Sequence, residues 1–326
     1  MGVGSGKPGA EHARSRIVAS GTPARGSQLA KTMNVQDLKR ALPTSTAPLV
    51  PAVGERATAT VMGNDTAADI VEAEIFNGFR AWRVWTLLGW DDIRQRYRRS
   101  ILGPFWITLS MGVFILLLGV IYGRLFHLDL PTYLPYLSLG FIVWGFMSAV
   151  ANDSCVAFHE SGRIIKQIKL PFAIYIFRAV YRNFIVFLHT IIIFIPIAIY
   201  FRVAPNWNTL LALPGLFLVV VNAAWVATIL ATFSTRYRDI QPIVGTIVQL
   251  MMFATPIMWT VSSLGNASIV AEVNPIYHLI EIVRSPMLGA APELRSWLVA
   301  GGLAVVGSLL ATGLLVSKSR RIVFWL

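Results

Sequence analysis

From residue 105 onward the chain is dominated by six apolar stretches: Phe105–Phe126, Leu134–Ala157, Phe184–Phe201, Leu210–Thr232, Pro242–Val261 and Trp297–Val316. Each holds 18 to 24 residues, and a helix rising ~1.5 Å per residue needs about 20 to cross ~30 Å of hydrocarbon. The pattern therefore predicts six membrane-spanning helices. Barrel strands would be about 10 residues of alternating polarity, which these runs are not. The fold class expected is an all-α integral membrane protein.

Ahead of the first span the pattern changes twice. Residues 1–68 are rich in Ala, Thr, Ser, Gly and Pro, with Pro8, Pro23, Pro43, Pro48 and Pro51 interrupting any apolar period, and read as a disordered extension. They show no basic start followed by a short apolar run and a small-residue cleavage site, the mark of a secretory signal. Residues 69–103 are different: Ile75, Phe79 and Trp82 recur at i, i+4, i+7, with Trp85 and Trp90 nearby and Arg80 and Arg83 among them. A helix in the membrane interface needs this mixture, because indoles sit at headgroup depth while guanidiniums reach phosphates. A soluble amphipathic helix packed on a partner fits the same pattern. Residues 104–326 form the six-span domain.

Composition agrees with a membrane protein, at 55% hydrophobic and 13% charged residues, with a mean hydropathy of +0.63 and a net charge of +12. The charge has a side. Under the six-span topology, 24 of the 28 Lys and Arg residues fall on the side that holds both termini and 4 on the other. Leaving out residues 1–68, the ratio is still 16 to 4. Basic residues flanking spans are retained in the cytoplasm, so both termini are expected there.

Several chemistries are disfavoured. The lone Cys155 excludes an internal disulfide framework or a Cys-rich metal site. Gly2–Lys7 mimics a phosphate loop, but Met1 and Pro8 stand where that motif needs Gly and Ser or Thr, so no ATPase motif is read here. The external segment after the fifth span holds Glu272, His278, Glu281, Arg284 and Glu293, which raises acid–base work as one reading. Its stripe of Ile276, Leu279, Ile280 and Val283 points instead to a short buried helix that turns Glu281 and Arg284 away or toward each other. Arg178, Arg182 and His189 share a helical stripe, either as snorkelling and packing residues or as a basic path for a phosphate-bearing headgroup. Asp153, near the end of the second span, has no evident partner within that span. Tyr122, Phe141, Trp144 and Trp259 lie in or near spans, as packing rings or as candidates to line a path for sugars.

Five segments together resemble the permease subunits of type-2 ABC exporters that move lipid-linked O-antigen, capsule or teichoic acid polysaccharides. They are RYRRSILGPFW at Arg96–Trp106, ESGRIIKQIKLP at Glu160–Pro171, RYRDIQP at Arg236–Pro242, ATPIMWT at Ala254–Thr260 and NPIYHLIEIVRSPMLG at Asn274–Gly289. The resemblance covers residues 75–326, leaving the N-terminal extension without a counterpart. It implies a homodimer working with two copies of a separate ABC ATPase, which would use ATP and Mg while this chain binds no cofactor. It also implies that Glu160, Arg163, Ile164, Ile165, Lys166, Ile168 and Lys169 form a coupling helix whose apolar edge enters a cleft of the ATPase. Arg96, Arg98 and Arg99, with Gly103-Pro104 turning into the first span, would meet anionic lipid or a substrate pyrophosphate, as would Arg178 and Arg182. Pro275, Tyr277, His278, Glu281 and Arg284 would belong to external gate helices between spans five and six. The partners implied are membrane lipids and a lipid-linked polysaccharide, not nucleic acid, at a bacterial inner membrane. A permease for a smaller amphiphile and a membrane glycosyltransferase or polymerase are the competing readings.

Overall fold

A computed structural model describes residues 66–98, 105–261 and 269–326. The N-terminal extension up to residue 65, Arg99 and the Gly103-Pro104 turn lie outside the described residues. Among those described, every regular element is helical. The first is α1 (Ala67–Val71), started by a capping box in which Thr66 and Asp69 exchange side-chain-to-backbone hydrogen bonds. A π-helical turn (Glu72–Phe76) and α2 (Asn77–Arg80) carry the chain to Ala81, whose ψ of 33° leaves the helical region before α3 (Trp82–Tyr97). The interface segment expected as one amphipathic helix is thus helical with a bend.

The spanning part follows as α4 (Phe105–Leu125), α5 (Leu130–Glu160), the short α6 (Gly162–Gln167) and α7 (Ala173–Thr190), continued through a 3-10 turn (Ile191–Ile193) into α8 (Phe194–Tyr200). Pro196 accounts for that tightened turn, since it offers no N–H to the carbonyl four residues back. After a 3-10 entry (Trp207–Leu211) come α9 (Ala212–Arg236), α10 (Ile240–Ala254), α11 (Ile269–Val273), α12 (Pro275–Met287) and α13 (Leu294–Trp325). Five of these runs are long and apolar enough to cross a bilayer.

The fifth apolar stretch departs from expectation. Its helix α10 has 15 residues, or about 22 Å, short of the ~30 Å core. Pro256 ends it by pushing Thr255 into extended backbone (ψ 139°). The chain then runs non-helically through Thr255–Trp259, although Thr255, Ile257 and Met258 are buried. The third span also differs, because helix begins at Ala173 rather than Phe184. That extra length carries Arg178 and Arg182 down past the apolar boundary, where other helices supply their counter-charges.

Helix α5 is the centre of the bundle: 72% of its apolar window is buried, against 17% for α4, which therefore turns most of its apolar surface outward. The closest packing is between α9 and α13. Gly215, Val219, Ala223, Ala227 and Ala231 form a buried stripe at i+4 spacing on α9, whose Gly215 end lies against Ile282 of α12, and Ala300, Ala304, Gly307 and Ala311 form one on α13, where Gly307 lies against Trp225 of α9. Small residues let the backbones approach, which drives association where lipid removes the hydrophobic gain. Asn222 stitches the pair by donating to the Ala300 carbonyl (3.1 Å) while accepting from the Trp225 indole (2.8 Å). A Cβ at Gly307 would fall inside that indole, whereas one at Gly313 meets nothing within 4 Å.

Gly307→Leu should therefore force α13 off α9, at a cost of about 1–3 kcal/mol or more. The expected result is a lower melting temperature and less monodisperse protein in detergent, with Gly313→Leu near wild type. Equal melting temperatures for the two variants would contradict this packing.

Candidate functional site

One end of the bundle gathers the termini of α3, α5, α7, α9 and α13 together with α6, and is rich in arginine and lysine. Here Arg178 grips Asp92 of α3 with two bonds, Nε to Oδ2 at 2.7 Å and Nη2 to Oδ1 at 2.5 Å, and reaches the Ser161 hydroxyl at 3.3 Å. One turn on, Arg182 donates to Asp153 of α5 at 2.7 Å and to Asp92 at 3.3 Å, and its Nη1 lies 3.7 Å from Glu160. Asn183 adds a bond to Asp153 at 2.9 Å. The Arg182 side chain is 8% exposed and that of Asp92 15%. These two guanidiniums, expected to face headgroups, are instead taken up by three carboxylates from two helices. The network joins α3, α7 and the corner where α5 gives way to α6.

Helix α6 hangs from that corner. Arg163, Lys166 and Lys169 are exposed, Ile164 and Ile168 half-buried, and Ile165 is 8% exposed within the chain's own core. The apolar edge expected to enter a partner cleft therefore packs inward, at least at Ile165. What α6 presents outward is charge. Its first expected residue, Glu160, is the last residue of α5.

The interface segment is tied to the same end. Gly78 and Gly89 allow α2 and α3 to lie against α7, with Ala173 and Tyr181 in the space a side chain would occupy. Trp85 packs on Phe177 and Tyr181, and Ile75 on the core, while Phe76, Phe79, Trp82 and Trp90 are exposed. The amphipathic stripe thus splits between this chain's own bundle and the outside. Arg96 and Arg98 are exposed near its end. Glu74 accepts a hydrogen bond from the Phe172 N–H (2.7 Å), capping the start of α7. Burial of this carboxyl raises its pKa to about 7, against the lowering effect of that bond.

The opposite end holds the expected gate residues. Asn274 caps α12 and Pro275 fills its first position. Arg284, 1% exposed, donates to Glu281 through Nε (3.0 Å) and Nη2 (2.6 Å), donates to the Pro256 carbonyl through Nη1 (2.8 Å), and lies 3.8 Å from the Tyr136 ring centroid. Glu281 and Arg284 have turned toward each other. Tyr133 and Tyr136 of α5 donate to the Met258 and Pro256 carbonyls at 2.5 and 3.0 Å. Asn274 donates to the Thr255 hydroxyl at 2.9 Å. These bonds satisfy the buried non-helical stretch after α10, which lipid could not do. His278 is 2% exposed, bonded to Ser296 and the Glu272 carbonyl, both at 2.9 Å. Tyr277 stacks edge-on against it.

Among the aromatics expected to line a path, Phe141 and Trp144 are corrected to core residues, 3% and 6% exposed, because α5 is enclosed by its neighbours. Phe141 meets Phe114 edge-on. Tyr122 and Trp259 remain half-buried, with the Trp259 indole donating to the Phe253 carbonyl (3.1 Å). Sequence reasoning missed the roles of Asp92, Asp153, Glu74 and Tyr136. For Asp153 a signal existed: an ionisable residue inside a span implies a partner on another helix, and Arg182 was within reach of the same membrane depth.

Removing Arg182 strands the carboxylates. Arg182→Met is expected to cost about 3–5 kcal/mol, and the double variant with Asp153→Asn to recover part of it, read as melting temperatures in detergent. An additive double variant would show that the pair is uncoupled. For Glu74 the sign follows from a raised pKa. Between about 4.5, its ordinary value, and about 7 the folded chain holds a proton that the unfolded chain has released, so stability falls as pH rises through that window and levels off above it. Glu74→Gln should flatten this slope between pH 5 and 8, and an unchanged slope would assign it to another group.

Comparison with known proteins places this geometry. Residues 83–288, more than half of the chain, match the family profile of ABC-2 type transporters. An O-antigen export system permease protein RfbA of Myxococcus xanthus is 24% identical over 197 residues, covering 58% of this chain and 74% of that protein. A protein of the same name from Klebsiella pneumoniae is 23% identical over 191 residues, with the same two coverages. With a bundle of helices suited to a bilayer and a family match over that share of its length, the chain is a multi-pass membrane protein that belongs to the ABC-2 type transporters.

Proposed function

We propose that this chain is the membrane subunit of an ATP-driven exporter of lipid-linked polysaccharide, of the O-antigen or capsule type, at a bacterial inner membrane. The observation that carries the reading is the match over 58% of the chain to relatives whose names describe O-antigen export permeases. The chain would work as a homodimer with two copies of a separate ABC ATPase, which binds ATP and Mg and performs the hydrolysis. The surplus of basic residues at one end supports placing that end, and both termini, in the cytoplasm.

The mechanism follows from what each end can transmit. Exposed Arg163 and Lys166 of α6, with Lys169 just after it, make a charged contact for the ATPase, while Ile165 roots the helix in the bundle. Movement of α6 passes to α5 and α7 through Glu160, Ser161 and the Arg178–Arg182 network, and to the interface helix through Asp92. At the other end, α12 is latched to α5 and the broken segment by Arg284. Opening a path there means releasing that latch. Because Ile165 is packed inside, a charge placed on it would disturb the fold before it disturbed coupling.

Two experiments bear on this. Deleting the gene should leave completed lipid-linked glycan inside the inner membrane, whereas absence of glycan synthesis would point to an enzyme. The triple variant Arg163→Glu, Lys166→Glu, Lys169→Glu should lose co-purification of the ATPase and export while keeping its melting temperature, since all three side chains are exposed. Retained co-purification and export would remove α6 from the contact.

A further inference from the structure

A cavity of about 340 Å³ opens at the basic end, between the last turns of α5 and α9 and the start of α10. Cys155, Val156 and His159 line it from α5, Ser234 from α9, Arg238 from the α9–α10 turn and Gln241 from α10. It shares no residue with the ion-pair network or with α6. Its volume is within the range of small-ligand sites, about 300–1,000 Å³.

The floor holds an unused donor. Ser234 is 2% exposed, and its hydroxyl has no hydrogen-bond partner meeting normal geometry. On the same helix Thr228, Thr232 and Thr235 donate to backbone carbonyls one turn back at 2.8, 2.8 and 2.6 Å. The Cys155 thiol, which donates to the Ala151 carbonyl (3.4 Å), is the neighbour toward which the Ser234 hydroxyl can turn, and a thiol sulfur is a weak acceptor that an anionic oxygen would displace. A buried hydroxyl left unpaired is destabilising, and a ligand entering the cavity would give it an acceptor.

The rim supplies charge. Arg238 and His159 are exposed, and among the described residues neither side chain makes a hydrogen bond or ion pair. The adjacent acids do not compete for it: Glu160 is turned to Arg182, and Asp239 does not line the cavity. A guanidinium, an imidazole, a carboxamide and a hydroxyl therefore converge with no carboxylate among them, a set of donors suited to a compact oxyanion.

We propose that this cavity is a binding site for a phosphate-bearing group, with Arg238 supplying the charge and Ser234 the innermost hydrogen bond. It rests on the export reading only for the source of the phosphate, which is either the diphosphate of a lipid-linked cargo or the headgroup of a bilayer phospholipid. In both cases the site lies at the end where α6 would receive the ATPase.

The test uses the full chain purified without any ATPase. Inorganic pyrophosphate, titrated by calorimetry, should bind saturably to the wild type. Loss of one charged hydrogen bond should weaken binding about tenfold or more in Arg238→Gln, and Ser234→Ala should weaken it severalfold, neither with a lowered melting temperature. No saturable binding, or equal affinity in all three proteins, would overturn the site. Native mass spectrometry from phosphatidylcholine nanodiscs doped with phosphatidylglycerol or with a polyprenyl diphosphate separates the sources. Retention of one, lost in Arg238→Gln, supports the site and names the source, while retention of neither, or retention indifferent to the variant, counts against it. Neither measurement requires transport, so failure here would leave the export reading intact, and failure of export would leave this site intact.

Discussion

In an apolar bundle, a charged group or broken backbone that the chain carries into the membrane thickness is costly unless it finds a partner within the protein. The architecture depends on that constraint. Arg182 enters the bundle on α7 and is met by Asp153 and Glu160 from α5 and Asp92 from α3. The broken backbone after α10 is met by Tyr133 and Tyr136 from α5, Asn274 at the start of α12 and Arg284 within it. Asn222 holds α9 to α13 on the same terms. In each case a polar group that would be costly in lipid becomes a specific tie between helices far apart in sequence.

These ties have a functional geometry. The Arg178–Arg182 network connects the interface helix, the long central helix and the corner bearing α6, so a push on any one reaches the others without crossing the apolar middle. The opposite cluster does the same for α12, the broken segment and α5. Because α5 takes part in both, it links the two ends. Its burial makes it a stiff link, as close-packed interiors transmit displacement rather than absorb it. Phe141 and Trp144 contribute to that stiffness.

Helix type, approximate number and order were legible because a bilayer imposes a length and a hydropathy that single residues report. The stripe of Ile276, Leu279, Ile280 and Val283 was legible for the same reason, as helical period is local. Boundaries were less so: α7 starts eleven residues before the apolar run because Ala173, Ile174, Tyr175 and Ile176 are buried against other helices and Arg178 and Arg182 after them find counter-charges. The end of α10 was signalled by Pro256, yet nothing local says that the following backbone stays buried. The basic stripe of Arg178 and Arg182 was visible, but its meaning depended on carboxylates about 20 to 90 residues away.

The sequence by itself determined that this is a helical membrane protein with most of its basic residues on one side, an aromatic interface segment and segments that resemble those of exporter permeases. Those properties are sums over residues or short periods, and each residue contributes whatever its neighbours are. Only the tertiary structure decided which arginines are paired, which face of α6 points outward, which aromatics are core and where a cavity leaves a serine unpartnered. Those are properties of distances between chain segments, and a distance between segments exists only once the chain has packed.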